Sequence, residues 1–136
     1  MNAYPAILYV EDDPRSRRIM HLLLAGEMEL ENCNIFEDSA DFTQRLQTLE
    51  PKPDVILLDI HVKPYTGFEM LAMVRQLPEF TETPVIALTA SVMNEEIQHL
   101  RDCGFQGVIA KPVDIDTFPQ LLNRVLSGEI IWRIVQ

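Results

Sequence analysis

Asp54-Val55-Ile56-Leu57-Leu58-Asp59 is an apolar run of four residues closed at each end by an acid. A run of this length with polar boundaries reads as a strand buried on both faces. Five other short apolar segments punctuate the chain. Three of them also end on a polar signal: Glu11-Asp12-Asp13, Thr89 and Lys111. In open α/β sheets, functional groups gather just past the carboxyl ends of the strands. Three acids, a hydroxyl and an ammonium at such ends point to one pocket for a metal ion and a phosphoryl group.

Outward from that run, the elements alternate. Ile7 to Val10 reads as the first strand. Pro14 suits the first turn of a helix whose stripe is Ile19, Leu22 and Leu23, and Gly26 closes it. Residues 30–36 form a weaker, mixed strand. Ser39 is placed to cap a second helix with Phe42, Leu46 and Leu49 inward, stopped by Pro51 and Pro53. The third strand, Val55 to Leu58, leads through the loop 62–67 to a helix with Phe68, Leu71 and Val74 inward. A breaker-rich linker, 78–83, precedes a fourth strand that begins at Pro84, where a missing donor matters least. Met93, Ile97 and Leu100 mark a fourth helix with Gly104 as its C-terminal cap. Gly107 to Ala110 is a short fifth strand. Ile115, Phe118, Leu121, Leu122 and Val125 line a fifth helix that Gly128 ends. This alternation predicts an α/β fold with a doubly wound, five-stranded parallel sheet, helices on both faces and right-handed crossovers.

The 136 residues fit one domain, and 47% hydrophobic with 24% charged residues is an ordinary globular balance. A formal charge of −10 and a pI near 4.6 argue against nucleic acid, which is bound through Lys and Arg. The local group Arg15, Arg17 and Arg18 reads as a solvated helix face. Cys33 and Cys103 lack CxxC spacing and are expected to be reduced and buried, in a cytoplasmic protein. No signal peptide or membrane span is expected.

The strand ends carry the chemistry. The first and third strands are neighbours in a doubly wound sheet, so Glu11, Asp12 and Asp59 converge. Their mutual repulsion raises at least one pKa unless a cation relieves it. Mg²⁺, a hard ion that takes oxygen ligands and works with phosphates, suits the site. Mg²⁺ and Lys111 together balance the three carboxylates. A phosphoryl group on Asp59 meets the metal, the Lys111 ammonium and the Thr89 hydroxyl. Asp59 is the nucleophile candidate; the plainer reading makes it a turn cap after the third strand.

These residues resemble a receiver domain of the two-component response-regulator family. The matching pieces are 7–14 (Ile-Leu-Tyr-Val-Glu-Asp-Asp-Pro), Leu57-Leu58-Asp59, Gly67, Leu88-Thr89-Ala90 and Ala110-Lys111-Pro112, in order and at the family's spacing, over about residues 6–126. The resemblance implies a flavodoxin-like sheet of order 2-1-3-4-5. It implies that Asp59 accepts phosphate from a histidine kinase or histidine phosphotransfer protein. Asp12 then ligates Mg²⁺ directly, Glu11 acts through bound water, and the His61 backbone carbonyl completes the protein ligands. Thr89 bonds the phosphoryl oxygens, Ala90 leaves access, and Lys111 pairs with the phosphoryl group. The Lys111–Pro112 bond is usually cis in this family.

The chain also departs from the family. The loop after Asp59 reads Val62-Lys63-Pro64, with its proline displaced by one residue, although the spacing to Gly67 is kept. His61 stands where family side chains tune phosphoryl lifetime, or is a solvated loop residue. Val108 replaces the common Tyr or Phe, so switching works through Thr89 and the fourth helix or is weak.

The expected organisation is one receiver domain, 1–128, with an apolar extension, 129–136. That extension packs on the body or serves a partner or homodimer contact. With no output domain in the sequence, the output is a protein contact, by resemblance on the face of the fourth helix, fifth strand and fifth helix. A second reading is an interaction module that keeps the fold without depending on phosphate. A third, an aspartyl phosphohydrolase, lacks the second Asp that such enzymes carry where this chain has His61.

Overall fold

The structure, a computed structural model that describes residues 5–129, places the Asp54-to-Asp59 run at the centre of a five-stranded parallel sheet. The strands are β1 (Ala6–Val10), β2 (Asn32–Phe36), β3 (Val55–Asp59), β4 (Val85–Thr89) and β5 (Gly107–Ala110), in the order β2-β1-β3-β4-β5. The helices are α1 (Pro14–His21), α2 (Phe42–Thr48), α3 (Gly67–Gln76), α4 (Asn94–Cys103) and α5 (Phe118–Leu126).

Every residue of β1, β3 and β4 is buried, because helices cover both faces of the sheet. Alternate side chains enter two separate cores. Leu8, Val10, Ile56, Leu58, Ala87 and Val108 pack with α2, α3 and α4, through Phe42, Leu46, Met70, Val74 and Leu100. Ile7, Tyr9, Val55, Leu57, Ile86 and Leu88 pack with α1 and α5, through Met20, Leu24, Phe118 and Leu122. The two-residue period is present but invisible in the sequence, since both faces are apolar.

Three helices depart from the expected faces. Ile19, Met20, Leu22, Leu23 and Leu24 admit two stripes one residue apart. The structure buries Met20, Leu23 and Leu24, leaving Ile19 40% and Leu22 62% exposed. The helix continues past His21 as a π-helical segment, Leu22–Glu27, in which the Met28 N–H donates to the Leu23 carbonyl five residues back. Met20, Leu23 and Leu24 keep the ordinary spacing of one helix face, so it is packing against the sheet that selects this stripe. Gly26 lies within the segment, and the chain turns at Glu29 (φ 54°) instead. Met93 and Ile115 are 62% and 60% exposed because they precede α4 and α5 and belong to no helix face. Ser39 does not cap α2. Asp41, at φ 52°, precedes that helix, while buried Ser39 donates to the Tyr65 carbonyl and accepts the Tyr65 N–H, both at 2.7 Å. It thereby ties the loop before α2 to the loop before α3. Cys33 is half-buried, but Cys103 is exposed at the end of α4, contrary to its expected burial.

Other local signals hold. Pro14 opens α1, Gly104 (φ 108°) caps α4, and Gly128 (φ 99°) follows α5. A capping box of Thr66 and Glu69 starts α3. The extension 129–136 lies outside the described residues from 130 onward. Among the described residues no helix is long and apolar enough to cross a membrane.

Gly67 fixes how closely α3 approaches the end of β3. A Cβ there lies 2.9 Å from Ile60 Cδ1 and 3.0 Å from the Asp59 carbonyl oxygen. The Gly67 N–H donates to the Ile60 carbonyl at 3.0 Å, so the backbone has little room to retreat. Gly67→Ala is expected to cost about 1–3 kcal/mol, by overpacking against a backbone atom of the central strand. Urea unfolding at pH 7 measures this; a loss below a few tenths would mean that the loop yields freely.

Candidate functional site

The sheet register brings four strand ends to one edge. Asp59 closes β3 and pairs with Leu88 of β4. Glu11 continues past β1, its N–H donating to the Phe36 carbonyl at 3.0 Å. Thr89 closes β4 beside Ala110, and the Lys111 N–H donates to the Thr89 carbonyl at 2.9 Å. Neighbouring strands stand about 4.8 Å apart, so the flexible Lys111 stem has to cross β4 to reach β3.

It does so. The Lys111 ammonium lies 2.7 Å from Glu11 Oε1 and 3.2 Å from Asp59 Oδ1. Glu11 is fully buried, and Asp59 is nearly so at 4% exposure. Glu11 takes further donors: the Tyr9 hydroxyl at 2.8 Å on Oε1 and the Asp13 N–H at 3.2 Å on Oε2. Arg17 donates to the Glu11 carbonyl at 3.1 Å, tying α1 to the same turn. Asp13 is the N-cap of α1, and its side chain accepts the Ser16 N–H at 3.0 Å. That leaves Asp12, exposed, to face the site. One carboxylate oxygen each from Glu11, Asp12 and Asp59 lie within 4.8 Å of one another.

The charges are unbalanced. Burial pushes the Asp59 carboxyl up to about 6, and the neighbouring Glu11 charge adds to this against the pull of Lys111. Burial alone would raise Glu11 too, but the hydrogen bonds from Lys111, Tyr9 and Asp13 outweigh it and hold Glu11 below the usual range. Burial opposes the Lys111 charge, yet the bond to Glu11 and the nearby Asp59 leave its pKa above that of a free lysine. Lys111 is thus committed chiefly to Glu11. Asp59 carries the uncompensated charge, as the convergence of acids leads one to expect.

The donor set fits a small hard cation. Opposed ligands of an octahedral Mg²⁺ stand about 4.2 Å apart, from metal–oxygen bonds near 2.1 Å. Adjacent ligands stand about 3.0 Å apart, so oxygens within 4.8 Å of one another suit one such ion when exposed Asp12 moves inward and a bound water spans the gap to Glu11.

The remaining expected residues are nearby in differing states. Thr89 is buried, and its hydroxyl accepts the Ser91 N–H at 3.1 Å. His61 is exposed, on the wall of a cavity of about 420 Å³ that it shares with Phe68, Thr89, His99 and Leu100. The Phe68 ring packs against His99 at 4.9 Å, tilted by 41°, and meets Phe105 edge-on at 5.9 Å. Val108 is buried in β5. The Lys111–Pro112 bond is cis. Tyr9 belongs to the site without any motif that marks it in the sequence. Its one signal is spacing, because Tyr9 in β1 and Glu11 just past its end are two residues apart in extended chain.

The family model of the response regulator receiver domain matches residues 7–123. A nitrate/nitrite response regulator protein homolog of Haemophilus influenzae is 29% identical over 126 residues, which is 92% of this chain and 58% of that protein. This chain therefore spans little more than half the length of that relative. The chemotaxis protein CheY4 of Vibrio cholerae, at 26% identity, superposes with a TM-score of 0.79 over 90% of this chain and 99% of that one. The receiver domain of a sensor histidine kinase from Pseudomonas aeruginosa, at 21% identity, gives a TM-score of 0.79 over 93% of this chain and 100% of that one. That structure has a magnesium ion coordinated in its active-site cleft. The same strand order, the acids on one sheet edge and a family match over most of the chain lead to one conclusion: this protein belongs to the response regulator receiver domain family of two-component signalling.

Proposed function

We propose that Asp59 accepts a phosphoryl group from the phosphohistidine of a histidine kinase or histidine phosphotransfer protein, and that the phosphorylated protein signals through protein contacts. One observation carries this reading. A buried strand-end aspartate shares a lysine with a second buried acid, and a third carboxylate completes a cluster within 4.8 Å.

An Asp59 carboxylate oxygen attacks phosphorus. The P–N bond of the donor breaks, and its electron pair returns to the imidazole ring. Asp59 is left as an acyl phosphate. Lys111 and the Thr89 hydroxyl bond the phosphoryl oxygens, by charge and placement more than by covalent chemistry. Asp12, Asp59 and the His61 carbonyl would hold Mg²⁺, with Glu11 acting through water. Bound there, the ion would offset the charge between these acids and the incoming group. Thr89 ends the strand that leads into α4, so a pull on its hydroxyl is passed to α4. The face of α4, β5 and α5 is the signalling surface in this proposal.

The test is to incubate the protein with Mg²⁺ and acetyl phosphate and weigh it intact. One added phosphoryl group is expected, absent when Mg²⁺ is chelated. A folded protein that gains nothing would count against the reading.

A pH dependence follows from Asp59. Its carboxyl, at about 6 in the metal-free protein, must lose a proton to bind a cation. Mg²⁺ affinity is therefore expected to fall about tenfold between pH 7 and pH 5. Calorimetric titration checks this, and a flat profile would mean that Asp59 is not a ligand.

A further inference from the structure

We propose that Tyr9 is a positioning residue for phosphoryl transfer: its hydroxyl keeps Glu11 held in place while Lys111 leaves Glu11 for the phosphoryl group on Asp59. The inference rests on the phosphoacceptor reading above.

Tyr9 lies on β1 and Glu11 just past its end, two residues on, where the Glu11 N–H still extends the ladder to the Phe36 carbonyl, so the two side chains leave the same face. The ring is buried in the core shared with α1 and α5, and the hydroxyl emerges 2.8 Å from Glu11 Oε1. The same oxygen accepts Lys111 at 2.7 Å, half an ångström closer than Lys111 stands to Asp59. Lys111 has to loosen this bond to pair with a phosphoryl group. A fully buried carboxylate oxygen stripped of its donors is costly, and that cost would hold the lysine back. The Tyr9 hydroxyl lowers the cost. It sits on a rigid strand with only two side-chain torsions, so it stays on Oε1 whichever way Lys111 turns. Glu11 Oε2 keeps the Asp13 N–H, which leaves Oε1 as the atom at risk.

Two measurements with Tyr9→Phe test this. The first is binding of beryllofluoride with Mg²⁺, since beryllofluoride caps a carboxylate as a phosphoryl group does. Tyr9→Phe is expected to bind it about tenfold more weakly than the parent, the scale of one hydrogen bond to a charged group. The second needs neither metal nor phosphate. The shift in urea midpoint caused by Tyr9→Phe is expected to be roughly twice as large in a Lys111→Ala background, where Tyr9 is the last side-chain donor to Glu11. A tyrosine that merely fills the core gives equal shifts in both backgrounds and unchanged beryllofluoride binding; either result overturns the proposal. If the double variant does not fold, the binding comparison on the single variant decides. A parent protein that binds no beryllofluoride removes the phosphoacceptor reading and this inference together. A parent that binds while Tyr9→Phe binds equally well removes only the role of Tyr9.

Discussion

Lys111→Ala is expected to unfold well below the parent in urea at pH 8, with a loss of about 2–4 kcal/mol, and to accept no phosphoryl group. The ammonium stands 2.7 Å from Glu11 and 3.2 Å from Asp59, both buried. Removing it strands two carboxylates that have little water to turn to. The deficit depends on pH in a definite direction. In the parent, Glu11 sits below its ordinary pKa, so its contribution is present above about 4.5 and is lost as the pH falls through its native value. In the variant, burial acts on Glu11 against fewer donors, and its native pKa rises. The native state then binds protons that the unfolded chain releases, and its stability falls as pH rises. The gap between the two proteins is thus widest near pH 8 and narrow near pH 4.5. A gap of equal size at both would mean that the ion pairs contribute nothing and that the loss is one of packing.

Asp59→Asn is expected to move stability the other way while abolishing phosphoryl uptake. The Asp59 carboxyl titrates at about 6 in the native protein against 3.8 in the unfolded chain. Between those values the native state holds more protons, so stability falls as pH rises from about 4 to 6 and remains lower above. A neutral amide of the same shape removes that penalty. At pH 8 the gain is expected to be about 1–3 kcal/mol, since a tenfold change in proton affinity corresponds to about 1.4 kcal/mol. At pH 4 the gain disappears. Equilibrium unfolding at the two pH values checks the sign; a variant less stable than the parent at pH 8 would show that the Asp59 charge is well compensated. Stabilising the fold while losing the reaction is what a site that stores charge for a ligand should do.

The fold was legible because its central strands are apolar on both faces. The runs at β1, β3 and β4 need no periodicity to be recognised, and Pro14, Gly104 and Gly128 mark helix ends for backbone reasons. The sequence misleads where it is equally apolar in two registers. Ile19 to Leu24 fits two stripes, and the choice between them is made by packing of Met20, Leu23 and Leu24 into the core, which has no local signature. It misleads again at Met93 and Ile115, apolar residues in helical spacing that lie just outside their helices.

The site was legible in its charged members for a topological reason. Strand ends share one edge, so Glu11, Asp59 and Lys111 meet whatever the loops do. What escaped were hydrogen bonds between polar groups of otherwise structural residues. Ser39 holds Tyr65 across two loops, and Tyr9 reaches Glu11 from inside a core. Neither is marked by a motif, because each depends on tertiary distance.

The most direct measurement on the central claim is to locate the phosphoryl group. The protein is treated with Mg²⁺ and acetyl phosphate, the acyl phosphate is reduced in place with borohydride, and the peptides are sequenced. A reduced residue at Asp59 alone is the expected result. Reduction at Glu11 or Asp12, or none at all in a folded, Mg²⁺-supplied protein, would contradict it.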